Sequence, residues 1–466
     1  MKTLDLTKGS VFKTLLTYSL PLIATNVAQV LFHATDVAVL GIMANDDAVA
    51  AVGACGSLIS LFISLFSGFA TGANVLTANR IGAKDIEGAR RGVGTSLLVG
   101  FLSGVILMVI ALIGAEQFLI WMNCDPEVLD EATLYMQIYF LGMPIMMLYN
   151  TVAAILRADG DSMRPMIYML IAGGVNVGLN FLLVGAFSMG VAGVAIATIV
   201  SNLLSLILSF IPLIKNKEYC KVEIKNIRFR KEEMEGITKV AIPTCLCSVF
   251  FYFANVVMAA GVNSLGKEAM TANTISGQFD SIIYNVSFSV AIACMAMVGQ
   301  CHGAGLKARV KETVYVGMGV ATGLSLFAGT LFAIFANPLL GIMSDNPAII
   351  QMAREKLLIL CFTHFVTGIM EVLSFSLRAM GYSNLTMIAG FICGFGVRSL
   401  WVWTVWQGDK TLPGIFWAYP VSAGLAIVAY FIAFIIITRN KRVDGNATVA
   451  VQPDGQKVKE KIEMDK

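Results

Sequence analysis

The side chains that could do chemistry in this chain are few and unusually placed. Asp36, Asp280, Glu371 and Arg398 each stand inside a long apolar stretch. An ionisable group at bilayer depth costs a few kcal/mol or more, so it is seldom idle: it holds an ion or a proton, or it pairs with an opposite charge. Asp36 follows Pro21 by fifteen residues and is itself followed by Val37 to Leu40. Its chemistry would be reversible binding of a cation or a proton. The plainer alternative is a carboxyl near a helix end, hydrated at an external mouth, because Gly41 to Asp47 is close by. His33 lies one turn earlier and reads as a lone polar residue. Asn176 and Asn180 are four apart, hence on one helix face. Such amides either serve a site or bond to a neighbouring helix. Asp280, Glu371 and Arg398 can form one buried network, with His364 two turns before Glu371. That network is either a structural ion pair or part of a coupling site. Met143, Met146, Met147 and Tyr149 would line a soft cavity or simply pack.

Other chemistries are missing from the sequence. There is no phosphate-binding Walker loop, no nucleotide turn, no nucleophile elbow and no His/Cys metal cluster. The three histidines are far apart. An enzyme is not expected, nor a cofactor. Energy should come from an ion gradient and not from ATP.

Residues of this kind need apolar elements to hold them. Of 466 residues, 57% are apolar and 14% charged. Soluble domains run near a quarter charged. Mean hydropathy is +0.76 and the net charge is +3. These values exclude a disordered chain, a nucleic-acid binder with a basic face and an ordinary soluble enzyme. Apolar runs of spanning length fall at 14–41, 48–76, 92–114, 132–156, 164–185, 190–214, 237–262, 269–299, 313–340, 353–377, 383–406 and 413–438. Only a helix satisfies its own backbone in lipid at this length, so all twelve are read as helices. Of the 33 Lys and Arg, 28 fall in alternate connections, from Lys2 through Arg80 and Arg157 to the C-terminal tail. That alternation puts both termini in the cytoplasm of a multi-pass protein of the cytoplasmic (inner) membrane. No cleavable signal peptide is expected, since the first apolar run is too long for one. The nine scattered cysteines suggest reduced thiols. Trp401, Trp403, Trp406 and Trp417 read as an interfacial belt.

The chain is also written twice. Leu20-Pro21-Leu22 is matched by Ile242-Pro243-Thr244, and Thr77 to Ala83 by Val298 to Ala304. Leu156 to Ser162 is matched by Leu377 to Ser383. The offset is 221 or 222 each time. Six spans per repeat make the repeats parallel, related by an axis along the membrane normal, and such halves enclose a cavity. The expected organisation is an amino lobe at 1–214, a cytoplasmic linker at 215–236, a carboxyl lobe at 237–438 and a disordered cytoplasmic tail at 439–466. Pro21 and Pro243 would kink the first helix of each lobe, which makes Pro21 a candidate hinge.

These residues resemble the MATE (multidrug and toxic compound extrusion) transporters. The likeness rests on Pro21 to Asp36, Gly82-Ala83-Lys84-Asp85 and Leu156-Arg157-Ala158-Asp159-Gly160. In the second half it rests on Gly299-Gln300, Gly303-Ala304-Gly305, Leu377 to Gly381 and the Arg398 helix. It implies an all-α V of two six-helix lobes and a multidrug efflux antiporter. Such a protein exchanges small amphipathic, often cationic, organic compounds for Na⁺ or H⁺, and a monomer is expected. It also implies a coupling site of Asp36, Asn176 and Thr198, with Asn180 where the family often has an acid. Amide oxygens can serve Na⁺, and a single carboxylate equally suits a proton. The acid that one branch carries on span seven is absent here, and Glu371 is a partial match on span ten. A lipid-linked precursor flippase of the wider superfamily is the alternative. A membrane enzyme acting on lipid is a remoter one, since no catalytic cluster is present.

Overall fold

The computed structural model describes residues 3–44, 46–122, 124–215 and 219–439. The expected disordered tail lies outside the described residues beyond Arg439. All regular elements among the described residues are helical. Eleven helical stretches of the described residues are long and apolar enough to cross a membrane, and a broken pair makes a twelfth crossing. The broken pair is α4 (Leu129–Leu141) and α5 (Met143–Ala158), which meet at 47°. The sequence reads this stretch as one helix. Gly142 sits at the junction and Pro144 lies in the first turn of α5. Proline has no N–H to donate and its ring crowds the preceding turn, so the helix restarts in a new direction.

The first half also contains α1 (Val11–Met43), α2 (Asp46–Gly82), α3 (Ile86–Trp121), α6 (Met163–Asn180) and α7 (Gly190–Lys215). The second contains α8 (Lys231–Asn263), α9 (Lys267–Gly303), α10 (Lys307–Ile334), α11 (Ala336–Gly341) and α12 (Pro347–Ala379). It ends with α13 (Ser383–Ala389), α14 (Arg398–Trp403), α15 (Leu412–Phe416) and α16 (Ala418–Arg439). Helices α1, α2, α8 and α9 are 33 to 37 residues long. At ~1.5 Å per residue each reaches about 50–55 Å, well past a hydrocarbon core of ~30 Å.

At one end the first helix of each half crosses to the other half. Leu15, Tyr18 and Leu22 of α1 are buried in a core built mainly by α9, α10 and α12. In return α8 lies on α2, with Cys245 against Gly68 and Ile237 against Gly72. Two bonds repeat the exchange symmetrically. Asn79 Nδ2 donates to the Ala379 carbonyl at 3.1 Å. Gln300 Nε2 donates to the Ala158 carbonyl at 2.7 Å. Both donors and both acceptors are related by the repeat offset. A Cβ on Gly82 would run into the Gln300 carbonyl, and one on Gly303 into the Asn79 carbonyl. The two backbones therefore touch where only glycine fits.

The N-terminal segment straps this end shut. Leu4 donates its N–H to Gly160 O at 3.2 Å, while Arg309 donates to the carbonyls of Lys8 and Gly9 at 2.7 and 2.9 Å. Buried Glu233 holds α8 to Arg80 at 3.4 Å and Arg91 at 3.5 Å. At the opposite end the cores stay separate. One gathers Leu40, Cys55, Leu107 and Tyr135 from the first half; the other gathers Met258, Ile275, Leu357 and Trp406 from the second. The result is a V, closed where the basic connections gather and open where Lys and Arg are scarce.

If the glycine contact sets the closed end, Gly303→Ala should force the halves apart there. Spin labels at Lys84 and Ala308, both exposed at this end, should report a new, longer distance population. An unchanged distance distribution would show that the closed end does not depend on the contact.

Candidate functional site

Two polar constellations lie inside the apolar body. The first belongs to the amino half. Asp36 is 9% exposed and Asn180 fully buried. Asn180 Nδ2 donates to Asp36 Oδ1 at 2.5 Å and sits 3.3 Å from Asn176 Oδ1. Helix periodicity aligns Asn176 with Asn180 on α6, and α1 packs against that face. Directly after Asn180 the helix widens into a π-helical stretch, Phe181–Ala186. Such widened turns are rare and re-aim the residues beside them. No local sequence signal foretells it.

Asn180 Oδ1 is buried and accepts no hydrogen bond. The Nδ2 of the same amide is turned to Asp36 Oδ1 and Asn176 Oδ1; the carboxylate and the two amide oxygens are donor types suited to a small hard cation, and the carboxylate alone to a proton. No group of three His, Cys, Asp or Glu that could hold a metal ion occurs among the described residues. Thr198 is not bonded to this trio. Its hydroxyl donates to Val194 O of its own helix at 3.0 Å. His33 is exposed while Asp36 is buried, so the two point different ways. Tyr135 and Tyr139 of α4 lie close enough to Asp36 to feel its charge. No sequence signal marks them: they sit in an ordinary apolar run outside any repeated motif.

The second constellation lines a cavity of about 830 Å³ between the halves. Asp280, Glu371 and Arg398 all face it, yet they do not form the single network expected of them. Asp280 Oδ1 lies 2.5 Å from His364 Nε2. Glu371 accepts from the Tyr284 hydroxyl at 3.3 Å. Arg398 donates through Nε to Ser422 at 3.1 Å and lies over the Tyr419 ring at 4.2 Å. Tight packing of α9 on α12 gives each acid a donor on the facing helix. Arg398 instead closes a second π-helical stretch, Gly390–Val397, which turns it toward α16. Arg157 and Arg378, which the sequence assigns to connections, also reach the cavity wall. Asp36 does not line it. Of the methionine stripe, Met143 and Met147 are packed in the core, and Tyr149 alone reaches the cavity.

Pro21 and Pro243 lie within continuous helices. Thr25 donates to Pro21 O, and Thr244 to Val240 O, each at 2.7 Å. Pro21 cannot donate to the preceding turn, so the ladder of α1 is already interrupted there. It is also where α1 leaves the core of the carboxyl half on its way to Asp36.

Two six-helix halves splayed about a polar cavity, with a buried carboxylate set apart from its wall, make the architecture of a multi-pass membrane transporter. The MatE family model matches residues 21–182 and 243–401, and the chain belongs to that family, whose members are transporters and not enzymes. It is 24% identical to the probable multidrug resistance protein YoeA of Bacillus subtilis (strain 168), over 94% of this chain and 96% of that one. It is also 24% identical to the multidrug export protein MepA of Staphylococcus aureus (strain MRSA252), over 93% and 95%. Its fold matches a MOP superfamily transporter of Pyrococcus furiosus described as having a binding pocket of reverse polarity. The TM-score is 0.87 at 20% identity, covering 95% of this chain and all of that one. A MATE structure in a bent conformation matches at TM-score 0.86 and 19% identity, over 96% of this chain and all of that one.

A bond from an amide to a buried carboxylate contributes about 1.5–3 kcal/mol. Asn180→Ala should therefore lower the thermal midpoint of the purified protein clearly. The same change in an Asp36→Leu background should cost much less. Equal losses in both backgrounds would show that the bond is not what Asn180 supplies.

Proposed function

We propose that this transporter exports small amphipathic organic compounds in exchange for Na⁺ or H⁺, with Asp36 as the coupling group. The observation that carries this reading is a carboxylate buried against Asn180 and set off from the cavity. An ion there is felt through the packing of α1 on α6 and not by contact with substrate. The names of the relatives, multidrug resistance and multidrug export proteins, support the substrate class.

In this mechanism a cation arriving from the open end neutralises Asp36 and takes up the free Asn180 oxygen. Asp36 then needs less from Asn180, and α1 repacks beyond Pro21, where its ladder is already weakened. The amino-half wall narrows and substrate leaves. Return to the cytoplasmic side requires the Asn79 and Gln300 bonds to part, and there the ion is lost. Thr198 joins the site if α7 moves with α1. In the same reading the protein works as a monomer in the cytoplasmic membrane with both termini inside. Residues 1–214 and 237–438 move as lobes joined by 215–236, and lipid surrounds them. The flippase reading keeps one observation in its favour: Arg157 and Arg378 join Arg398 on the cavity wall.

The test is transport of a fluorescent amphiphile in proteoliposomes, with a Na⁺ gradient and a pH gradient imposed separately. At least one gradient should drive it, and Asp36→Asn should abolish the driven part while leaving the thermal midpoint near wild type. Transport indifferent to both gradients, or unaffected by Asp36→Asn, would overturn coupling through Asp36.

A further inference from the structure

We infer that the cavity takes organic compounds bearing an anionic group, which docks on Arg398. This rests on the export reading only for the direction of transport. The binding chemistry stands on the cavity itself.

The charges on the wall are Arg157, Arg378 and Arg398, facing Asp280, Glu371 and His364. The acids are occupied. His364 holds Asp280 at 2.5 Å, and the Tyr284 hydroxyl is bonded to Glu371 at 3.3 Å. Among the described residues, no Asp or Glu forms an ion pair with any of the three arginines. Arg378 reaches Thr386 at 3.4 Å and lies over the Phe375 ring. Three guanidiniums against two carboxylates leave the wall with a formal charge of +1, counting His364 as neutral.

Arg398 is the built part of this wall. It is 6% exposed. Ser422 and the Phe251 and Tyr419 rings hold its guanidinium in place. Its Nη1 is buried and has no hydrogen-bond partner among the described residues. A buried guanidinium nitrogen left unpaired is costly. A planar carboxylate, or a phosphate or sulfonate oxygen pair, would satisfy it in the forked geometry that arginine favours. Next to it the stacked rings of Tyr284 and Phe288, 5.7 Å apart, offer an apolar face for the body of the guest. The volume, about 830 Å³, suits a drug-sized molecule. A purely cationic guest, the type the family resemblance suggests, would meet three guanidiniums.

An anionic group of this kind could belong to a soluble organic acid or to a lipid headgroup. The experiment uses the full-length protein in nanodiscs of neutral lipid, with two dyes that differ at one position. Rhodamine 110 carries a free carboxylate; rhodamine 123 is its methyl ester. Fluorescence anisotropy should give the acid a Kd at least about tenfold lower than the ester, the fold expected of one good charged hydrogen-bonded contact. Arg398→Gln should bring the two dyes within about twofold, and Arg398→Lys should keep part of the preference. Equal or tighter binding of the ester by the wild type, or no binding of either dye, would overturn the inference. So would a preference that survives Arg398→Gln. The wild-type comparison needs no variant to fold. Competition by dioctanoyl phosphatidic acid and by a soluble aromatic carboxylate then separates the sources: the stronger competitor names the one used. If gradient-driven transport fails but the acid preference holds, the export reading falls and the anionic site stands.

Discussion

Gly82 and Gly303 leave no room for a side chain, and the architecture of this transporter depends on that close approach. Each glycine lets its helix end rest on the backbone of the other half, against the Gln300 and Asn79 carbonyls. With the backbones that near, the two amides can each reach across to a carbonyl of the opposite half. The contact is made of repeat-related parts, flanked by the core that α1 shares with α9, α10 and α12. Pinning the halves at one end while their cores stay apart at the other produces the V and the cavity within it.

The polar groups inside the V divide into two jobs. In the amino half, one carboxylate is stabilised by neutral amides. Amides cost little to bury when bonded, and they leave the charge of Asp36 uncompensated and so responsive to an arriving ion. In the carboxyl half, Asp280 and Glu371 are hydrogen-bonded to His364 and Tyr284, while Arg378 and Arg398 are held by hydroxyls and aromatic rings. The first arrangement suits a small cation and the second an organic guest. In the proposed mechanism their separation, with Asp36 off the cavity wall, makes ion and guest communicate through helix packing, and Pro21, at the point where α1 leaves one core for the other, is where that packing would change.

Much of this was legible from the chain alone. Twelve crossings follow from the lengths of the apolar runs, because lipid offers the backbone no partner and a helix is the only answer. The pairing of Asn176 with Asn180 follows from 3.6 residues per turn, and the scarcity of charges in the spans points to Asp36. The likeness of the two halves marks Asn79 and Gln300 as equivalents, though not as a seam. Some signals were present but read too simply. Gly142 followed by Pro144 is a break signal within what looked like one span. Arg157 and Arg378 counted as bases of the connections, although each sits at the last turn of a long helix.

The sequence by itself determined the helices, their repeat and the identity of the buried carboxylate, since these depend on local periodicity and on the solvent. Only the tertiary structure decided which polar groups meet. It joined Asp280 to His364 instead of to Arg398, kept Thr198 on its own helix, and brought Tyr135 and Tyr139 to Asp36. It also turned Asn180 and Arg398 through widened π-helical turns. Such pairings depend on how far apart two helices lie and how each is rotated, to within about an ångström. That is settled by packing across the whole molecule, and no stretch of neighbouring residues encodes it.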